Sequence, residues 1–338
     1  MKKRILTLML SAAMVFSLAA CGSTSGGSSS DSGQAADSGS AEDSSDEKPE
    51  TITIQSRNAE GELTDVEVPY DPERIAILDM ACLDILDNLG VGDRVVGSAS
   101  TSLDYLQDYV TNEEIVNLGT IKEADMEAVM ECEPDIIFIG GRLSSSYDAL
   151  NEIAPVVYLA TDSEAGVVES VRTNASTIAS IFGLEDKVDE LMEDFDSRIE
   201  ALSQFAEGKS AIIGMCTSGS FNVLGNDGRC SIIGKEIGFD NIGVDSNIDT
   251  ATHGNEASFE FVVEKNPEYI FVMDRDAAIG TDGAQLAQEI MENELVMGTD
   301  AYKNGNVVYL AHPAVWYTAE GGVTALDLML QDLENELL

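Results

Sequence analysis

Three of the chain's nine arginines stand just beyond stretches that read as β-strands: Arg142 in IFIGGR, Arg229 in the turn GNDGRC and Arg275 in IFVMDR. A guanidinium is always charged, presents a planar fork of donors and is weakly hydrated, so three gathered in one place would bind oxyanions or stack on aromatic rings. Apart from one another they would only balance nearby acids, such as Asp274 and Asp276 beside Arg275. His253 in TATHGN and Tyr317 in PAVWYT add an imidazole nitrogen and a phenol oxygen on loops of the same half of the chain. A phenolate is a hard donor that suits ferric iron. Trp316, next to Tyr317, is read as a further ligand contact and as a fluorescent reporter of binding.

The elements that must carry these residues are repeated. EPDIIFIGGR (133–142) and NPEYIFVMDR (266–275) each open on proline plus an acid and close on an arginine. At an offset of 133, Glu127/Glu260, Val129/Val262, Glu131/Glu264, Pro134/Pro267, Ile137/Ile270, Phe138/Phe271 and Arg142/Arg275 coincide without a gap. One structural unit is used twice. Around the first copy, RIAIL, RVVGSA, DIIFIG and PVVYLA alternate with helical patterns, which predicts a parallel sheet with helical crossovers. The alternation resumes from SAIIGMC and FNVLG onward, and VVYLA at 307–311 repeats 156–160 letter for letter. Between the halves runs a long helical stretch, interrupted only at Phe182-Gly183-Leu184. The expected fold is therefore α/β: a lobe over 50–165, a hinge helix over 166–206 and a second, similar lobe over 207–338. Open parallel sheets bind ligands beyond the carboxyl ends of their strands, which directs Arg142 and Arg275 into one cleft.

The first 21 residues are expected to be an export signal, with Lys2, Lys3 and Arg4 before a short apolar run. The run ends in Leu18-Ala19-Ala20-Cys21-Gly22, a lipobox in which Cys21 would receive the lipid that anchors the protein to the membrane. Residues 22–49, rich in Ser, Gly and Asp, have little to bury and are expected to form a tether reaching about 30 Å. The formal charge of −44 argues against nucleic acid and against adsorption to anionic lipid. Cys82, Cys132, Cys216 and Cys230 lack C-x-x-C spacing and read as buried thiols, with a disulfide left open. Only two histidines, His253 and His312, are present, too few for the usual zinc or manganese site.

The stretches PERIAILDMACLDILDNLGV, PDIIFIGGR, THGNEASFEFVVEKNPEYIFVMDRDAAIG, AYKNGNVVYL and VWYTAEGG resemble the substrate-binding lipoproteins of bacterial ABC importers with a single hinge helix. That group takes up ferric siderophores, cobalamin and haem, and the nearest likeness is to its catecholate binders of the petrobactin and enterobactin-fragment type. The resemblance implies that Arg142, Arg229 and Arg275 contact catecholate oxygens. It implies that His253 and Tyr317 complete the coordination of iron when the siderophore supplies only four donors. Glu127 and Glu260, one per lobe, would pair with arginines of the permease. The ferric siderophore is then cargo rather than cofactor, and the protein a monomeric, membrane-anchored, extracytoplasmic receptor. One departure stands out: where some relatives carry a lysine after the first arginine, this chain has Ser144, Ser145 and Ser146. Haem or cobalamin receptors of the same fold are the nearest alternative. A secreted lipoprotein hydrolase is the alternative from another class, but no G-x-S-x-G, H-E-x-x-H or Walker motif supports an enzyme.

Overall fold

The computed structural model describes residues 48–244 and 254–338. The expected export signal, Cys21, almost all of the tether and His253 lie outside the described residues. The folded body begins with an antiparallel hairpin, β1 (Thr51–Arg57) and β2 (Leu63–Pro69). The first lobe is built on β3 (Ile75–Leu78), β4 (Val95–Ser100), β5 (Val116–Thr120), β6 (Glu123–Ala124), β7 (Ile136–Ile139) and β8 (Val156–Tyr158). They form one sheet in the order β6-β5-β4-β3-β7-β8, parallel except where β5 meets β6. Every residue of β3 and β7 is buried, as expected of parallel strands covered on both faces. The buried Ser56 hydroxyl accepts from the Tyr158 N–H at 2.8 Å and so pins the hairpin to β8.

The second lobe contains β9 (Ser210–Thr217), β10 (Ser220–Val223), β11 (Asp240–Asn241), β12 (Asn255–Glu256), β13 (Tyr269–Asp274) and β14 (Val307–Tyr309). Their order is β12-β10-β9-β13-β14, with β11 pairing β9. β9, β13 and β14 are parallel, matching β3, β7 and β8. β10 instead folds back antiparallel on β9 through Ser218 (φ 52°) and Gly219 (φ 80°), a pair of left-handed residues that suits a tight hairpin.

The repeated unit is real in space. Helices Met126–Glu131 and Phe259–Lys265 precede β7 and β13, capped by Asp125 and Ser258. The acid after each proline has one task. Asp135 accepts from the Arg74 N–H at 2.9 Å, and Glu268 from the Ser210 N–H at 3.0 Å, each tying the repeated strand to the start of its central neighbour.

The long helical stretch is three helices, Val167–Phe182, Asp186–Met192 and Phe195–Ala206, not one. Gly183, at φ 65°, closes the first in the left-handed conformation that glycine adopts cheaply. Helix Val167–Phe182 is held from the second lobe by Glu236, whose Oε1 accepts from the Val168 N–H at 2.9 Å. The terminal helix Val323–Leu337 leaves the second lobe and packs on the first-lobe helix Met80–Leu89. There the buried Asp84 accepts from the N–H groups of Thr324 and Ala325, both at 2.9 Å, capping a helix of the opposite half. One buried apolar cluster consequently includes Leu83, Ile178, Phe271 and Leu326, drawn from both lobes and the hinge. Cys82, Cys132, Cys216 and Cys230 are buried free thiols. Among the described residues no helix is long and apolar enough to cross a membrane.

Candidate ligand-binding cleft

The strand ends deliver the arginines as their spacing predicts. Arg142 lies in the 3₁₀ turn Gly141–Ser146 after β7, and Arg275 opens the short helix Arg275–Ala278 after β13, where Asp274 accepts from the Ala277 N–H at 2.9 Å. Arg229 precedes helix Ser231–Lys235. All three meet at Tyr317. Their guanidinium carbons lie 5.7, 5.4 and 4.4 Å from its ring centre for Arg142, Arg275 and Arg229 respectively, within cation–π range. Arg142 also donates to the Tyr317 carbonyl at 3.1 Å, and Arg275 donates through Nε to the Tyr317 hydroxyl at 3.0 Å. Arg275 is braced further by Thr217 Oγ1 at 3.2 Å and Asp276 Oδ1 at 3.3 Å.

Tyr317 sits on helix Pro313–Thr318, which opens with Pro at its first turn. The buried Asp332 of the terminal helix straps that helix down: it accepts from the His312 N–H at 3.0 Å and from Trp316 Nε1 at 2.8 Å, and lies 2.6 Å from His312 Nδ1. This corrects the reading of Trp316 as a ligand contact. Trp316 is wholly buried and its one donor is taken by Asp332, so it positions its neighbour rather than touching the cleft.

The cluster divides the space between the lobes into two chambers. The inner one, about 310 Å³, reaches Asn174 on the hinge helix and is walled by Asp79, Arg142, Arg229, Tyr317 and Glu320. The outer one, about 270 Å³, is walled by Ser102, Thr120, Lys122, Arg142, Ile279 and Tyr317. Burial alone would raise the Tyr317 phenol, but the Arg275 hydrogen bond and the charges of Arg229, Arg275 and Arg142 outweigh it and hold the phenol below its ordinary value. Arg229 is drawn down by burial and by the like charge of Arg142. Cations confined in this way gain when an anion arrives between them.

Sequence reasoning missed Lys122 and Glu320. Lys122 reaches the cleft from the turn between β5 and β6, on no recognisable spacing, and supplies a cation where Ser144–Ser146 suggested none. Glu320 was in view within VWYTAEGG but carried no signal of burial. Glu127 and Glu260 are both exposed, each in the first turn of its repeated helix.

The family model described as periplasmic binding protein matches residues 75–314. The petrobactin-binding protein YclQ of Bacillus subtilis is 31% identical over 99% of both chains. Its crystal structure superposes with a TM-score of 0.78 at 32% identity, covering 86% of this chain and 99% of that one. The periplasmic catecholate-siderophore binding protein VctP of Vibrio cholerae gives 0.76 at 31% identity over 85% and 100% of the chains. The ferric-anguibactin-binding protein FatB of Vibrio anguillarum is 26% identical over 78% of this chain and 81% of its own. Two α/β lobes, a helical hinge and a cleft between them agree with these matches, and the chain belongs to the periplasmic binding proteins, a family that binds solutes rather than transforming them.

Proposed function

We propose that this protein captures a ferric catecholate siderophore between its lobes and delivers it to an ABC permease. The observation that carries the reading is the convergence of Arg142, Arg229 and Arg275 on Tyr317 in a body of formal charge −44. Such a body repels anions everywhere except where cations are gathered, and a tris-catecholate ferric complex of charge −3 matches three guanidinium groups with charge-assisted hydrogen bonds. The ligands for which YclQ, VctP and FatB are named, petrobactin, a catecholate siderophore and ferric anguibactin, support the same class. With a bis-catecholate, two octahedral positions stay open, and Tyr317 with His253 would fill them; the charges that hold the phenol below its ordinary value favour the phenolate that iron needs.

Delivery would use the two exposed glutamates, Glu127 and Glu260, which stand at equivalent places on the repeated helices and are available to arginines of a permease. Lipidation at Cys21 would keep the receptor beside that permease, and the tether would let it turn.

Titration with a ferric bis-catecholate, followed through its ligand-to-metal charge-transfer band, tests this. The wild-type protein is expected to shift the band. Tyr317→Phe and His253→Ala are each expected to return it toward the free complex and to weaken binding by about tenfold or more. An unchanged spectrum and affinity in both variants would remove the two side chains from the iron. Absence of binding to bis- and tris-catecholates alike would overturn the function.

A further inference from the structure

The inner chamber holds a carboxyl group for which the capture of an anion has no evident use. Glu320 follows Tyr317 by three residues, in the turn Ala319-Glu320-Gly321-Gly322, and lines the chamber with Asp79, Arg142 and Arg229. Its Oε1 is sealed from solvent and has no hydrogen-bond partner among the described residues. An ionised carboxylate oxygen in that position is costly, whereas a neutral acid is cheaper to bury and brings a hydroxyl that can donate.

Burial dominates at Glu320. Against it stand the Arg229 charge and the Cys230 N–H, which favour the anion, while Glu236, at the end of helix Ser231–Lys235, favours the acid; together they raise the carboxyl to about 8. Across the chamber lie Asp79, itself pushed up by burial, and Arg142 from the first lobe, with Tyr317 on the adjoining helix. The charge balance points the same way. An ionised Glu320 beside Arg229 would cancel one of the three guanidinium charges where the ligand must enter.

We propose that Glu320 serves the cleft as a neutral carboxylic acid whose hydroxyl, turned toward the chamber by a rotation of the side chain, donates a hydrogen bond to an anionic oxygen of the bound complex. The proposal rests on the ferric-catecholate reading and adds to it a proton link: above the titration range of Glu320, binding takes up one proton from solvent at this side chain.

The test uses a ferric hexadentate tris-catecholate, which brings all six donors and needs none from the protein. Its affinity is measured by quenching of protein fluorescence from pH 7 to 9.5. Wild-type affinity is expected to fall by up to about tenfold per pH unit above about 8. Glu320→Gln keeps an N–H donor and is expected to lose less than about threefold at pH 7 with a flattened profile, while Glu320→Ala loses about tenfold at pH 7. A Glu320→Gln profile as steep as wild type, or Glu320→Ala binding as tightly as wild type at pH 7, would overturn the proposal. Calorimetry of the wild-type protein at pH 9 in two buffers of different ionisation enthalpy needs no variant: net proton uptake supports the proposal, and none or a release overturns it. If the wild-type protein binds the complex at no pH, the ferric-catecholate reading fails and this one with it.

Discussion

In the first lobe the strand beside β3 is β4, parallel to it, whereas in the second the strand beside β9 is β10, folded back antiparallel. The other neighbours agree: β7 and β8 on one side, β13 and β14 on the other, all parallel. Within this shared centre sit the acid that ties the repeated strand to its neighbour, Asp135 or Glu268, and the arginine that closes it, Arg142 or Arg275. The divergent parts supply what those arginines meet. The first lobe brings hydroxyls and Lys122, and the second brings Tyr317, Arg229 and Glu320. Duplication thus built a symmetric frame for placing two cations, and the specific chemistry was added mostly from one side.

The largest losses should be in stability, at a pair of equivalent core positions. Phe138 and Phe271 are equivalent positions in β7 and β13 and both are fully buried. Phe271 lies 4.9 Å from Phe239, edge-on, and Phe239 lies 5.3 Å from Tyr269, whereas Phe138 has no ring partner among the described residues. Phe138→Ala should cost about 3–5 kcal/mol from lost transfer energy and the cavity. Phe271→Ala should cost about 1 kcal/mol more, through its aromatic contacts. Denaturant unfolding of both variants measures the gap, and equal losses would mean that the aromatic cluster adds nothing beyond burial.

The shared centre was legible because matching residues recur at one spacing; in the structure Asp79 caps and Gly90 ends the helix Met80–Leu89. The asymmetric part was harder to read. Trp316 and Tyr317 are adjacent in sequence, but on a helix adjacent side chains point about 100° apart, so one faces the core when the other faces the cleft. The Ser218-Gly219 turn between β9 and β10 is a two-residue hairpin signal, outweighed by the strand–helix alternation on either side of it. The break between Met192 and Phe195 has no glycine or proline to announce it. That the terminal helix docks on the first lobe rests on contacts across more than half of the chain, which no local pattern carries.

The join between the lobes can be probed through pH. Asp84 accepts from two N–H groups of the terminal helix and from the Tyr105 hydroxyl at 3.0 Å, yet burial outweighs these donors and raises its carboxyl from 3.8 to about 6. A raised carboxyl means that the folded state binds the proton more tightly than the unfolded one. The associated stability is present in full below pH 3.8 and is lost as pH rises through about 6. Relative to Asp84→Asn, the wild-type protein should therefore lose on the order of 3 kcal/mol between about pH 4 and pH 7. Parallel pH dependence in the two proteins would show that this inter-lobe cap is solvated and does not bear on the join.

The smallest expected losses belong to the two repeated arginines themselves. Arg275 is held by the Tyr317 hydroxyl, Thr217 and Asp276, while among the described residues Arg142 has one hydrogen bond, to the Tyr317 carbonyl. A guanidinium already fixed loses less freedom on meeting the ligand. Arg275→Gln should therefore weaken binding of a ferric tris-catecholate by about a hundredfold and Arg142→Gln by about tenfold, against the 1.5–3 kcal/mol usual for a charged hydrogen bond. Fluorescence titration of the two variants, with matched melting temperatures, separates them. Equal losses would mean that the bracing of Arg275 serves only the fold, and that the two lobes contribute their cations on the same footing; a larger loss at Arg142 would place the anion nearer the first lobe, beside Lys122.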